Sequence, residues 1–252
     1  MTKKIDLNCD IGESFGQYKQ GNDRDIMPHV TSANIACGFH AGDPNVMAET
    51  IALAVENKVA IGAHPGLPDL VGFGRRKMEI TPEDAYCITT YQIGALEAFL
   101  RRYGRRLHHV KPHGALYNMS AVHRTLAEAI VKAVHDFDSS LILYGLSGSE
   151  LTHSAEKIGL QVGYEIFADR TYQHDGTLTP RNHPRAMITD INQCIEQSME
   201  IMTHQRVKTV DGSVIPLKGN TICLHSDGNH ALSFSKMLKD TFQSQGFEVA
   251  AL

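Results

Sequence analysis

Several short segments of this chain place ionisable side chains where they could act together. The run Asp6-Leu7-Asn8-Cys9-Asp10 sets Asn8 and Asp10 two residues apart, on one face of an extended strand, with Glu13 just beyond. Asn34 and His40 follow in a second segment, and then come His64, Arg75-Arg76, Lys111-Pro112-His113, Asp169-Arg170 and His225. Carboxylates and imidazoles in one pocket can exchange protons with a substrate. The same imidazoles can instead ligate a metal or hydrogen-bond a substrate, and the sequence leaves these alternatives open. An Asp-plus-two-His metal site suits hard and borderline cations, although no His-x-x-x-His spacing supports it. Lys111 needs an anion beside it if it is buried, either as a structural ion pair or as a site cation, and Asp10 is one candidate. An arginine on a glycine-rich loop can close over a phosphate or carboxylate.

Other polar residues read differently. Asp43 before Pro44 is a helix N-cap by its position. Cys37 has no base beside it and reads as a small buried thiol. The chain carries neither a Gly-x-x-x-x-Gly-Lys-Ser/Thr loop nor a complete Gly-x-Gly-x-x-Gly fingerprint, so a nucleotide would be held by other means or by another chain.

Bringing these segments together requires strands. Seven runs read as strands: Ile5–Asp10, Ser32–Ala36, Val59–His64, His109–His113, Leu141–Gly145, Val162–Ala168 and Thr221–His225. Helical patterns lie between them at Asn45–Asn57, Ala85–Tyr103, from Ser120 through His135, from His183-Pro184 to His204, and from Asn229 to before Gly246. The alternation predicts an α/β fold around a parallel sheet, and nearly every candidate site residue then falls at a strand's carboxyl end, where such folds place their active sites. Asp211-Gly212 between β-branched runs predicts a two-residue hairpin turn, an excursion near 207–217. Residues Pro65 to Thr81, rich in Gly, Pro and Arg, read as a functional lid.

The whole chain of 252 residues is one barrel-sized unit, with no repeat or linker dividing it. With 42% hydrophobic and 21% charged residues it reads as a folded globular protein, and it has no apolar run of membrane-spanning length. A net charge of −4 without a basic cluster argues against a nucleic-acid partner and for a small ligand. The amino-terminal residues do not read as an export signal, and the five scattered cysteines suggest reduced thiols, so a cytoplasmic location is expected.

The segments Asp6–Glu13, Ser32–Pro44, Gly62–Pro65, Gly72–Arg76, Val110–Tyr117 and Phe167–Arg170, in this order along the chain, resemble the LamB/YcsF lactam-utilisation family. The resemblance spans essentially the whole sequence. One motif departs from it: His225-Ser226-Asp227-Gly228 has Ser where the family more often has Gly. The resemblance implies an irregular seven-stranded (β/α) barrel similar to the glycoside hydrolase and deacetylase superfamily. It implies ATP-dependent opening of the 5-oxoproline lactam to L-glutamate together with 5-oxoprolinase subunits B and C, with ATP as co-substrate and Mg accompanying it. For that reaction Asp10 and His113 are expected to move protons, and Lys111 with one of Arg75 or Arg76 to stabilise charge. Asn8, Glu13, Asn34, His40, His64, Asp169, Arg170 and His225 are expected to contact substrate or water. Two rival readings are a stand-alone metal-dependent amidohydrolase or deacetylase and a non-catalytic ligand-binding subunit.

Overall fold

A computed structural model describes residues 3–225 and 231–252, with His225 and Ala231 described by their backbone alone. Its elements in chain order are β1 (Lys4–Ile11), α1 (Asp23–Ile26), β2 (Ser32–Ala36), α2 (Pro44–Glu56), β3 (Ala60–His64), α3 (Pro82–Leu100), β4 (His109–Val110), α4 (Gly114–Val122), α5 (Arg124–Phe137), β5 (Ile142–Leu146), α6 (Glu150–Ile158), β6 (Gln161–Phe167), α7 (Ile191–His204), β7 (Arg206–Lys208), β8 (Val214–Pro216), β9 (Thr221–His225), α8 (Ala231–Ser244) and β10 (Glu248–Val249).

Strands β1 to β6 and β9 pair in parallel in that order, and β9 pairs back onto β1 to close a seven-stranded barrel. β10 adds to the outside of β1 at Lys4 and Ile5. The period-two rule divides β1 cleanly: Ile5, Leu7, Cys9 and Ile11 join the buried apolar core, while Asp6, Asn8 and Asp10 share the other face. That face is the barrel interior. Near its floor, Asp6 accepts hydroxyl hydrogens from Thr31 (2.5 Å), Ser32 (2.7 Å) and Thr221 (2.6 Å), which satisfies a carboxylate with no solvent exposure. Burial still pushes the Asp6 carboxyl above its usual range.

The helices begin where their caps dictate. The Asp43 carboxylate accepts the Asn45 and Val46 N–H groups, and Thr81 with Asp84 forms a reciprocal capping box. Such caps contribute about 1 kcal/mol each. In α5, Leu126, Ala127, Ile130, Val131 and Val134 form the buried face, each large side chain contributing roughly 1.5–3 kcal/mol of burial.

The structure adds α1, α6 and β10, which the sequence reading does not include, and departs from it at four further places. β4 ends at Val110 instead of His113, because Pro112 has no N–H for the ladder; Lys111 and His113 still donate to the Ala63 and Pro65 carbonyls, so the segment tracks β3 without forming sheet. The expected helix from Ser120 is two helices broken at His123, and Ser120 lies buried inside the first, which starts at Gly114. His183-Pro184 sits in a turn, and the next helix starts at Ile191 on an Asp190 cap. The hairpin exists, but β7 and β8 are joined by the five residues 209–213, where the Asp211 carboxylate accepts from Ser213 N–H and hydroxyl groups; this side-chain turn replaces the two-residue one.

One buried acid makes the fold pH-sensitive. Asp23 opens α1 and accepts the Gly12 N–H at 2.8 Å, fixing the turn that carries Glu13, while its second oxygen is buried without a hydrogen-bond partner among the described residues. Burial raises this carboxyl to about 6. A carboxyl raised on folding costs nothing below the unfolded value near 4, and its cost grows as pH rises through 6 to roughly 2–3 kcal/mol. Asp23→Asn keeps an acceptor for Gly12, so thermal melts of the variant between pH 4 and 7 are expected to lose much of the wild-type decline. An unchanged slope would contradict this assignment.

Candidate active site

One layer above Asp6 the barrel interior holds a cluster of charged side chains. Lys111 extends from the segment after β4 and is 2% exposed. Its ammonium stands 2.8 Å from Asp10 Oδ1, 2.8 Å from Glu165 Oε1, 3.3 Å from Asn8 Oδ1 and 3.1 Å from Cys223 Sγ. Burial acts to discharge it, and the Asp10 and Glu165 charges overcome that effect and hold its pKa above the ordinary lysine value. Two carboxylates and one ammonium leave a net charge of −1.

Asparagines fix the geometry of Asp10. Asn34 donates to both Asp10 Oδ1 (2.8 Å) and Asn8 Oδ1 (2.7 Å), and its own oxygen accepts from His109 Nε2 at 2.7 Å. The His109 ring fits because residue 62 opposite it is glycine, where a Cβ would overlap the imidazole. Asp10 Oδ1 is thus held by Lys111 and Asn34. Oδ2 faces His64 Nε2 at 3.4 Å.

Above Asp10 three imidazoles pack together. His64 Nε2 lies 2.9 Å from His113 Nδ1, and the His40 ring stacks on His113 with centroids 3.7 Å apart. Glu13 Oε1 is 3.3 Å from His40 Nε2 and 3.5 Å from His113 Nδ1. Burial pulls the His40 and His113 pKa values below the ordinary range, and it raises Glu13, with Asp10 adding to that rise. Glu13, His40, His64 and His113 each bring one potential ligand atom within 4.8 Å of the others, a cluster able to hold a metal ion.

Apart from His40, these groups form one wall of a cavity of about 750 Å³, within the range of small-molecule sites. Asp10, Glu13, His64, Lys111 and His113 lie on its floor side, with Tyr117 and Phe167 beside them. Cations from the loops line the same cavity: Arg75 and Lys77 from the segment after β3, and Arg170 and Arg181 from the segment after β6. The two neighbouring arginines part ways. Arg75 lines the cavity with its guanidinium 4.9 Å over the Phe73 ring, whereas Arg76 turns away and pairs with Asp69. Arg170 lines the cavity while donating to the Thr179 and Ala186 carbonyls, so it also braces the 171–187 loop.

The remaining residues singled out from sequence fall outside the cavity wall. Asn8 and Asn34 are fully buried beneath Asp10; Asn34 bonds it directly, and Asn8 accepts from Asn34 and Lys111. His40 lies behind His113, against Gly66. Asp169 stands at the base of the 171–187 loop, its carbonyl accepting the Ile188 N–H. The backbone of His225 ends β9 beside Asp10; its side chain and Ser226-Asp227-Gly228 lie outside the described residues. Asp43 is the helix cap its position suggested, and Cys37 is a buried thiol pushed up to about 12 that donates to the Ile35 carbonyl.

Sequence patterning misses three neighbours of the site. Glu165 pairs with Lys111 and accepts the Tyr117 hydroxyl at 2.7 Å, and Cys223 completes the lysine's surroundings. The available signal is a lone charge at Glu165 within a buried strand, which demands a cation partner.

Fold and site together define a parallel α/β barrel whose strand ends enclose an ionisable pocket for a small ligand. The LamB/YcsF family model matches residues 5–252, and the chain belongs to that family. It is 55% identical over 249 residues to the A subunit of 5-oxoprolinase from Brevibacillus brevis, covering 99% of this chain and 98% of the relative. It is 56% identical over 249 residues to the corresponding A subunit from Bacillus subtilis, covering 99% and 97%. Among solved structures it superposes on a lactam utilization protein from Thermus thermophilus with a TM-score of 0.93 and 44% identity, over 99% of this chain and 100% of that one. No helix among the described residues is long and apolar enough to cross a membrane.

Proposed function

We propose that this chain is the A-type subunit of a cytoplasmic, ATP-dependent 5-oxoprolinase and opens the 5-oxoproline lactam to L-glutamate with subunits B and C. The observation that carries the reading is Asp10, oriented by Lys111 and Asn34 with its second oxygen toward His64, on the floor of a cavity lined by cations. Full-length identity to chains named as the A subunit of 5-oxoprolinase supports the choice of substrate.

A lactam resists water because its nitrogen lone pair is delocalised into the carbonyl. Phosphoryl transfer from ATP, with its Mg ion, to the carbonyl oxygen removes that protection and leaves the ring carbon electrophilic. Asp10 Oδ2, 3.4 Å from His64 Nε2, then takes a proton from the attacking water. The ring C–N bond breaks as the nitrogen gains a proton, leaving a γ-glutamyl phosphate, and a second water displaces phosphate from it to give L-glutamate. Lys111 stays fixed between Asp10 and Glu165, so in this reading it keeps Asp10 ionised and in place, while Arg75 and Arg181 carry the charge stabilisation.

In this reading Arg75, which lines the cavity, meets the substrate carboxylate. Charge-assisted bonds of this kind contribute about 1.5–3 kcal/mol. Arg75→Ala is therefore expected to weaken 5-oxoproline binding about 10- to 100-fold. Calorimetric titration of the assembled subunits tests the proposal: saturable binding that weakens in the variant supports it. Absence of any 5-oxoproline binding to the folded assembly would refute it.

A further inference from the structure

Hydrogen positions in the imidazole cluster are set by backbone carbonyls, which can only accept. His64 Nδ1 lies 2.7 Å from the Lys111 carbonyl oxygen, so Nδ1 carries the hydrogen and Nε2 presents a lone pair. His113 Nε2 lies 2.9 Å from the Phe73 carbonyl oxygen, so Nε2 carries the hydrogen and Nδ1 presents a lone pair. Those two lone pairs face each other across 2.9 Å. Further acceptors stand around them: Asp10 Oδ2 at 3.4 Å from His64 Nε2, and Glu13 Oε1 at 3.5 Å from His113 Nδ1. With both imidazoles neutral, these two lone pairs and two carboxylate oxygens repel one another, and a cation among the four atoms resolves it.

We propose that Glu13, His64 and His113 hold one borderline divalent transition-metal ion, of the zinc class, with Asp10 Oδ2 beside it. Donors about 2.0–2.1 Å from a shared ion stand ~3.0–3.4 Å from one another, close to the 2.9 Å between His64 Nε2 and His113 Nδ1 and the 3.5 Å between Glu13 Oε1 and His113 Nδ1. Two imidazole nitrogens with one carboxylate suit zinc, cobalt or manganese, whereas magnesium and calcium prefer all-oxygen sites. The surroundings match a metal centre as well. Each ligand imidazole donates its other N–H to a main-chain carbonyl, the arrangement that fixes ring orientation around a metal. His40 supports the carboxylate: with Nδ1 buried and without a hydrogen-bond partner among the described residues, its Nε2–H points to Glu13 Oε1 at 3.3 Å.

Metal occupancy does not depend on the lactam reading, and its test needs neither 5-oxoproline nor ATP. The full chain, stripped with chelator, is titrated with cobalt(II) and zinc(II), and bound metal is measured after dialysis. The wild type is expected to retain one ion per chain, with visible ligand-field absorption for cobalt. His113→Ala and Glu13→Gln are each expected to weaken binding by about 100-fold or more, beyond the roughly 10–100-fold that outer partners of a metal contribute. His123→Ala, at the exposed junction of α4 and α5, is expected to retain it. Should His113→Ala fail to fold by circular dichroism, Glu13→Gln decides the question. No retained metal in the wild type, or undiminished binding in Glu13→Gln, overturns the proposal.

Discussion

Replacing Lys111 by Met is expected to lower the unfolding free energy by about 3–5 kcal/mol, the loss that follows when one partner of a buried ion pair is removed. The reason lies in the local charge. With the ammonium present, Asp10 and Glu165 share one compensating charge at 2.8 Å each; without it, two carboxylates face each other in the barrel interior at a net charge of −2. Glu165 has no solvent exposure, so water cannot take over the compensation. Urea denaturation of the variant measures the loss directly. Adding Glu165→Gln to Lys111→Met removes one of the stranded charges and is expected to restore part of the stability. A double variant no more stable than the single one would show that Lys111 acts through packing alone.

Replacing Asp10 by Asn has the opposite profile. The substitution takes the cluster from −1 to neutral, and an amide oxygen can still accept from Lys111 and Asn34, so the fold is expected to persist with little change in melting temperature. The group facing His64 would no longer accept a proton. General acid–base catalysis contributes typically about 10²–10⁴-fold, and turnover by the assembled enzyme is expected to fall by about that factor. Steady-state kinetics should show the loss in kcat, with KM for 5-oxoproline nearly unchanged. A variant with wild-type kcat would remove Asp10 from the chemistry.

The difference between these two residues shows what the sequence can and cannot reveal. Asn8 and Asp10 are legible as a pair because strand periodicity is strict, and the same rule correctly sends Ile5, Leu7 and Cys9 outward. The barrel is legible because apolar runs alternate with capped helices, and Ser32–Ala36 and Thr221–His225 occupy the expected residues. The start of α4 is missed because no side-chain cap marks it, whereas α6 and the start of α7 are missed although Ser149 and Asp190 cap them. α4 begins at Gly114 with His113 offering no cap, and its residues are buried nearly all round, so no amphipathic period appears. Long-range pairing is also hidden: nothing in the spacing of Glu165 and Lys111 announces that their strands adjoin the same pocket. Nor does it announce that Arg75, and not Arg76, turns inward, since Asp69 captures the second arginine through a loop contact. The absence of His-x-x-x-His spacing is a poor guide as well, because His40, His64 and His113 reach one cluster from three separate segments.

The central claim is that this chain supplies the lactam-opening site of a multi-subunit enzyme. Its most direct test is glutamate release from 5-oxoproline and ATP by the partner subunits, measured with the chain omitted, with the wild-type chain restored, and with Asp10→Asn restored in its place. ATP-dependent glutamate is expected only when the wild-type chain is present. Equal glutamate from the partners alone, or from the assembly carrying Asp10→Asn, would contradict the claim.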